Sequence, residues 1–169
     1  KGFSLTVAAG EKVGILGTSG SGKTTAMKLL SGMYTPSRGT LRIDGHRIKT
    51  IDTQHLRKHV VYINQRTQLF NTSILKNIQY GNKVTPETIR RILRHYQLDA
   101  VYQKLPRGIQ TNAGVQGAGL SLGMQKVTML MRGILREGQI VVLDEPLAGL
   151  DAQTRQKVLR LIKDQCAGR

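Results

Sequence analysis

The chain has 169 residues, a hydrophobic content of 39% and a formal net charge of +16. That length suits one packed core and is marginal for two. No apolar run approaches the ~18 residues needed to span a bilayer, no signal peptide shows at the start, and the single cysteine, Cys166, excludes an internal disulfide and favours a reducing compartment.

In chain order, residues 2–7 alternate like a strand, and Lys12-Val13-Gly14-Ile15-Leu16 is short, apolar and strand-like. Thr24 to Ser31, with Ala26, Met27, Leu29 and Leu30, is expected to be a helix that stops at Gly32. Thr40 to Ile43 reads as a strand followed by an Asp44-Gly45 turn, and Val60 to Ile63 as a buried strand ending at Asn64-Gln65. Pro86 opens a helix to about Tyr96, Leu105-Pro106-Arg107-Gly108 is a turn, and Gly114, Gly117 and Gly119 mark an irregular, flexible stretch. Ser121 caps a long helix through Val127, Leu130, Met131, Ile134 and Leu135. Ile140–Leu143 is the continuous apolar run of a buried parallel strand, and Asp151 caps a last helix containing Val158, Leu159, Leu161 and Ile162. Strands alternating with helices predict an α/β fold with a mainly parallel sheet and a ligand at the carboxyl ends of its strands. The all-helical middle, residues 70–136, reads as a subdomain inserted into a core made of 1–69 and 137–169.

Residues Gly17-Thr18-Ser19-Gly20-Ser21-Gly22-Lys23-Thr24-Thr25 match G-x-x-x-x-G-K-[ST], a phosphate-binding loop between a strand and a helix. Glycines let the backbone wrap tightly and turn its N–H groups inward into an anion nest, and the helix points its positive end at the same spot. Lys23 is expected to reach the β- and γ-phosphates of ATP, and Thr24 to ligate Mg²⁺ through its hydroxyl.

Asp144 and Glu145 follow the apolar strand directly, so a parallel strand carries both carboxylates to the sheet edge where phosphates sit. Asp144 suits Mg²⁺, held through water beside Thr24, and Glu145 suits a base for the attacking water. Gln65 ends another apolar strand, where it either touches the metal or the water or is only a turn residue. His55 and His59 are spaced i, i+4, but no acid or cysteine joins them, and a surface helix is the simpler reading. The high charge raises nucleic acid or an anionic membrane as partners. The basic residues are scattered, however. Arg90, Arg91 and Arg94 fit the polar face of a helix whose apolar stripe is Ile89, Ile92, Leu93 and Tyr96. Nucleic acid is not favoured.

The order of these pieces resembles the ATP-binding cassette (ABC) ATPases: phosphate loop, Gln65, a signature-like Leu120-Ser121-Leu122-Gly123-Met124, the strand with its acids, then Ala148-Gly149-Leu150-Asp151. The similarity covers nearly the whole chain. Leu69-Phe70-Asn71-Thr72-Ser73-Ile74 with Asn77-Ile78 and Tyr80-Gly81, and Leu105-Pro106-Arg107-Gly108 with Thr111 and Gly114, resemble exporter-type cassettes. The resemblance implies a P-loop NTPase-type core, catalytic roles for Lys23, Gln65 and Glu145, and Mg²⁺ held by Thr24, Gln65 and Asp144. It implies that Ser121 and Gly123 act on ATP bound by an opposite cassette, in a homo- or heterodimer. It implies a transmembrane partner domain, and a place on the cytosolic or organelle-matrix face of a membrane.

The family's signature usually has glycine and glutamine where this chain has Leu122 and Met124, and arginine where it has Val127. Leu122 either blocks close approach, or strains the turn if its φ is positive, or points aside and leaves activity ordinary. The family's adenine-stacking aromatic and switch histidine are expected beyond the two ends, so the chain resembles a truncated piece. Three functions stand open: the ATP-hydrolysing domain of an exporter, a non-hydrolysing regulatory cassette, and a soluble cassette ATPase acting on nucleic acid or ribosomes.

Overall fold

The computed structural model describes residues 3–64 and 67–169. The expected helix after the glycine loop is α1, Lys23–Leu30. Strands β1 (Arg42–Ile43) and β2 (His46–Arg47) pair antiparallel across Asp44-Gly45, whose φ values of 48° and 77° give the left-handed two-residue turn that suits a hairpin. Helix α2 (Thr53–His59) leads straight into β3 (Val60–Ile63), and β3 pairs in parallel with β4 (Ile140–Leu143), Val60 opposite Ile140 and Ile63 opposite Leu143. Between them lie α3 (Ile74–Gln79), α4 (Pro86–His95) and α5 (Leu122–Ile134), and α6 (Ala152–Gln165) follows β4. Pro86 occupies the first turn of α4 and Ser121 and Asp151 cap α5 and α6, as expected, and Thr85 caps α4.

The β3–β4 pair divides the interior into two layers. Period-two alternation sends Val61, Ile63, Val141 and Leu143 to one face and Val60, Tyr62, Ile140 and Val142 to the other. The first face packs against α3, α4, α5 and α6 through Ile74, Ile78, Leu93, Leu130, Ile134 and Leu161. The second receives Met27 and Leu30 of α1 and Leu56 of α2. Helices on both faces of a parallel pair make the α/β layering expected of the sequence. The larger core cluster runs without a break from the strands into the helices of residues 70–136.

Two expected strands do not form. Residues 3–7 and 12–16 carry no strand, and Phe3, Leu5, Val7, Val13 and Leu16 are exposed. Alternation alone makes no strand, because a strand exists only where a neighbour accepts its hydrogen bonds, and no ladder reaches these segments among the described residues. The stretch around Gly114 is irregular as expected, with Gln116 at φ 56°, yet it is pinned by Gly119 N–H to the Ala113 carbonyl (2.9 Å) and Ala113 N–H to the Thr72 carbonyl (2.9 Å). Among the described residues, no helix is long and apolar enough to cross a membrane.

The segment after β3 is held by a buried polar knot. Asn77 is fully buried; its Oδ1 accepts from Phe70 N–H at 2.8 Å, and its Nδ2 donates to the Phe70 carbonyl at 3.0 Å and the Ser73 carbonyl at 3.1 Å. Arg132 on α5, also buried, donates from Nη2 to the Gln68 carbonyl at 2.9 Å and lies over the Phe70 ring. Helix α5 and the segment after β3 are thereby fastened together.

Candidate nucleotide site

Residues 17–22 form the loop that enters α1. Gly20 and Gly22 have φ of 79° and 96°, a region in which an L side chain is strained. A Cβ on Gly17 would come to 2.7 Å from Ser21 Oγ. A side chain would thus be strained at Gly20 and Gly22, and at Gly17 would require the Ser21 hydroxyl to move. The Lys23 ammonium folds back over the loop, donating to the carbonyls of Gly17 (2.7 Å) and Thr18 (2.8 Å).

Helices α2, α3, α4, α5 and α6 each have a side-chain cap, from Asp52, Ser73, Thr85, Ser121 and Asp151. Helix α1 has none: its cap position is Gly22. The amides opening α1, those of Lys23, Thr24 and Thr25, therefore meet no capping side chain among the described residues. That is the arrangement an anion completes.

β4 ends by delivering Asp144, whose N–H continues the parallel ladder to the Ile63 carbonyl at 3.0 Å. Asp144 Oδ2 accepts a hydrogen bond from the Tyr62 hydroxyl at 3.1 Å. Burial, then the bond to Asp144 and its charge, push the Tyr62 phenol up to about 12. Glu145 leaves the strand line at once: its φ is 48°, left-handed for a non-glycine residue, which costs about 1–2 kcal/mol. An open hollow of about 350 Å³ lies beside it, lined by Glu145, Pro146, Leu147, Ala148 and Arg155. α5 brings buried Lys126 toward the same end of the sheet. Burial pulls its ammonium pKa down, and the fields of Glu145 and Asp144 act in the opposite direction.

Among the described residues, no group of three His, Cys, Asp or Glu side chains could by itself hold a metal. The oxygen ligands expected for an ion beside the phosphates are the Thr24 hydroxyl, in the first turn of α1, and the Asp144 carboxylate, at the end of β4. Thr24 and Asp144 share no direct hydrogen bond. Such a sparse oxygen set fits Mg²⁺, which takes one or two protein ligands and fills the rest with phosphate oxygens and water. Gln65 lies outside the described residues.

Ser121 Oγ accepts from Met124 N–H at 3.4 Å, opening α5. Leu122 is the first residue of α5 and is not among the positive-φ residues, so the strained turn it could have imposed does not occur. Its side chain is 64% exposed. Met124 packs into the main core. A Cβ on Gly123 would meet open space. Positive φ at non-glycine residues falls instead at Asp44, Gln97, Gln116 and Glu145. His55 and His59 stack at 4.4 Å on α2, with His59 Nδ1 3.0 Å from Gln139 Oε1.

Sequence reasoning missed Tyr62 and Lys126. Both stand on elements it identified, Tyr62 on the α1 face of β3 and Lys126 on the buried side of α5. The alternation of Val60-Val61-Tyr62-Ile63 was the one signal that a phenol faced the nucleotide side.

The family model described as ABC transporter matches residues 1–148. The chain is 38% identical over 167 residues to "ABC transporter ATM1" of Toxoplasma gondii, covering 98% of this chain and 15% of that protein. It is 37% identical over 165 residues to "Iron-sulfur clusters transporter ATM1, mitochondrial" of Saccharomyces cerevisiae, covering 97% of this chain and 24% of that one. Among solved structures, that of a bacterial Atm1-family ABC exporter with ATP bound superimposes with a TM-score of 0.86 at 31% identity, covering 96% of this chain and 29% of the exporter chain. The chain thus spans less than a third of the length of each of these relatives.

Proposed function

This chain belongs to the ABC transporter family, and we propose that it is the ATP-binding, ATP-hydrolysing domain that drives solute export through a transmembrane partner domain. The observation that carries the reading is α1, the one α-helix among the described residues that opens without a side-chain cap, directly behind a loop of left-handed glycines. Loop amides and the Lys23 ammonium take the phosphates, the lysine exchanging the Gly17 and Thr18 carbonyls for phosphate oxygens. Thr24, Asp144 and Gln65 would hold Mg²⁺, the last as the family resemblance implies. When bound, the ion supplies charge neutralisation across the phosphate oxygens. Glu145 orients the attacking water and accepts its proton, from a position its left-handed backbone turns out of the strand.

Ser121 and Gly123 act on ATP held by a second cassette, identical or different, and the assembled protein sits on a membrane with its cassettes on the cytosolic or organelle-matrix face. Closing and reopening of the cassette pair moves the transmembrane domain. The test is phosphate release by the intact protein in detergent with Mg-ATP. Glu145→Gln should reduce the rate at least a hundredfold, in the range lost when a general base is removed. An unchanged rate removes Glu145 from the role.

One observation favours a second reading, that of a regulatory cassette that binds ATP without turnover. Leu122 and Met124 replace the usual glycine and glutamine, and Leu122 stands largely exposed at the opening of α5. Binding with no phosphate release, in a protein whose Lys23→Ala variant loses the nucleotide, would establish it.

A further inference from the structure

We propose that Tyr62 is a positioning residue for Asp144, fixing the carboxylate so that one oxygen is occupied by the phenol and the other is presented to the magnesium that accompanies ATP. The inference rests on the role given above to Asp144.

The backbone of Asp144 is already fixed, since its N–H closes the last rung of the β3–β4 ladder on the Ile63 carbonyl at 3.0 Å. The ladder does not fix the two side-chain torsions. The Tyr62 hydroxyl does so, donating to Oδ2 at 3.1 Å. Oδ1 accepts no hydrogen bond from the chain among the described residues, so the two oxygens are unequal before any ion arrives.

The direction of approach matters. Tyr62 lies on the strand face that packs with Met27 and Leu30 of α1, the helix whose first turn carries Thr24. The phenol therefore reaches Asp144 from the layer in which the nucleotide loop stands. A phenol is also a suitable donor. It is neutral, so it orients the carboxylate without cancelling the charge a metal needs, and its ring leaves only two torsions to order. The cation nearby, Lys126, makes no hydrogen bond to Asp144 among the described residues and leaves this task to Tyr62. Partners that orient metal-binding carboxylates typically contribute 10–100-fold in metal affinity.

The experiment uses the intact protein, with Mn²⁺ as a spectroscopic probe for Mg²⁺ and a non-hydrolysable ATP analogue. Tyr62→Phe keeps the ring and removes only the hydroxyl. Its Mn²⁺ affinity in the nucleotide complex should fall about tenfold, the lower end of that range, while binding of the analogue in EDTA stays at the wild-type value. A purely structural role would move both. Asp144→Asn is the reference. Weakened Mn²⁺ binding in Asp144→Asn with wild-type affinity in Tyr62→Phe overturns the role of Tyr62 alone. Wild-type affinity in both overturns the metal role of Asp144 and the inference with it. Should Tyr62→Phe fail to fold, the Mn²⁺ affinity of wild-type protein carrying 3-fluorotyrosine, whose more acidic hydroxyl donates more strongly, replaces it. An affinity indistinguishable from that of unlabelled protein then overturns the inference.

Discussion

A methyl group of Leu122 lies against Gly149, so close that a Cβ on residue 149 would stand 3.2 Å from Leu122 Cδ2. The residue that departs from the usual signature thus touches, within one chain, the loop that follows Asp144 and Glu145. Gly149 has φ 78°, so it tolerates this contact and this backbone where a larger residue would not. If Leu122 hinders closure on a neighbouring nucleotide, Leu122→Gly should raise ATP turnover of the intact protein several-fold. An unchanged rate means the leucine is accommodated beside Gly149 and costs nothing. Gly149→Ala should lower the thermal unfolding midpoint, since the left-handed backbone alone costs about 1–2 kcal/mol with a Cβ present.

Asn77 is fully buried and both its amide groups are engaged. Asn77→Ala would leave the Phe70 N–H without its acceptor, while the Phe70 carbonyl keeps the Thr72 N–H at 2.7 Å; one orphaned group costs about 1–3 kcal/mol. Denaturant unfolding should show a loss of that order. A loss below ~0.5 kcal/mol would mean that the segment around Phe70 repacks or is hydrated, since that is the scale of ordinary surface changes.

Much of this architecture was legible in the sequence because its signals are local. The glycine loop, Pro86 at the start of α4, the helix-capping positions Ser121 and Asp151, the Asp44-Gly45 hairpin and the apolar runs at 60–63 and 140–143 each lie within a few residues. What was not legible depends on partners far along the chain. Tyr62 meets Asp144 across 82 positions and Arg132 meets Gln68 across 64. The failed strands at 3–7 and 12–16 show the same limit from the other side, for a local pattern of alternating or apolar residues makes no strand without the ladder partner that they lack among the described residues. The charge of +16 pointed toward polyanions, yet Arg91 and Arg94 lie exposed on α4, as the amphipathic pattern predicts.

Two tyrosines give the fold an alkaline limit. Burial raises the phenol of Tyr102, which is fully enclosed and 2.9 Å from Thr128 Oγ1, and that of Tyr62 rises to about 12 from an ordinary 10.0. A raised folded pKa means that the native state holds protons the unfolded state has released. Their contribution is complete below pH 10 and is lost as pH rises through 12. Chemical-denaturation midpoints should therefore fall across that window, less steeply in Tyr62→Phe. A flat profile from pH 10 to 12 contradicts the burial of both hydroxyls.

The grip of residues 17–25 on a triphosphate is tested most directly by calorimetry of Mg-ATP binding to the intact protein, wild type against Lys23→Ala. Saturable uptake by the wild type, weakened at least tenfold by the substitution, is the expected result; no uptake by well-folded wild-type protein, or equal affinity in the two, would contradict it.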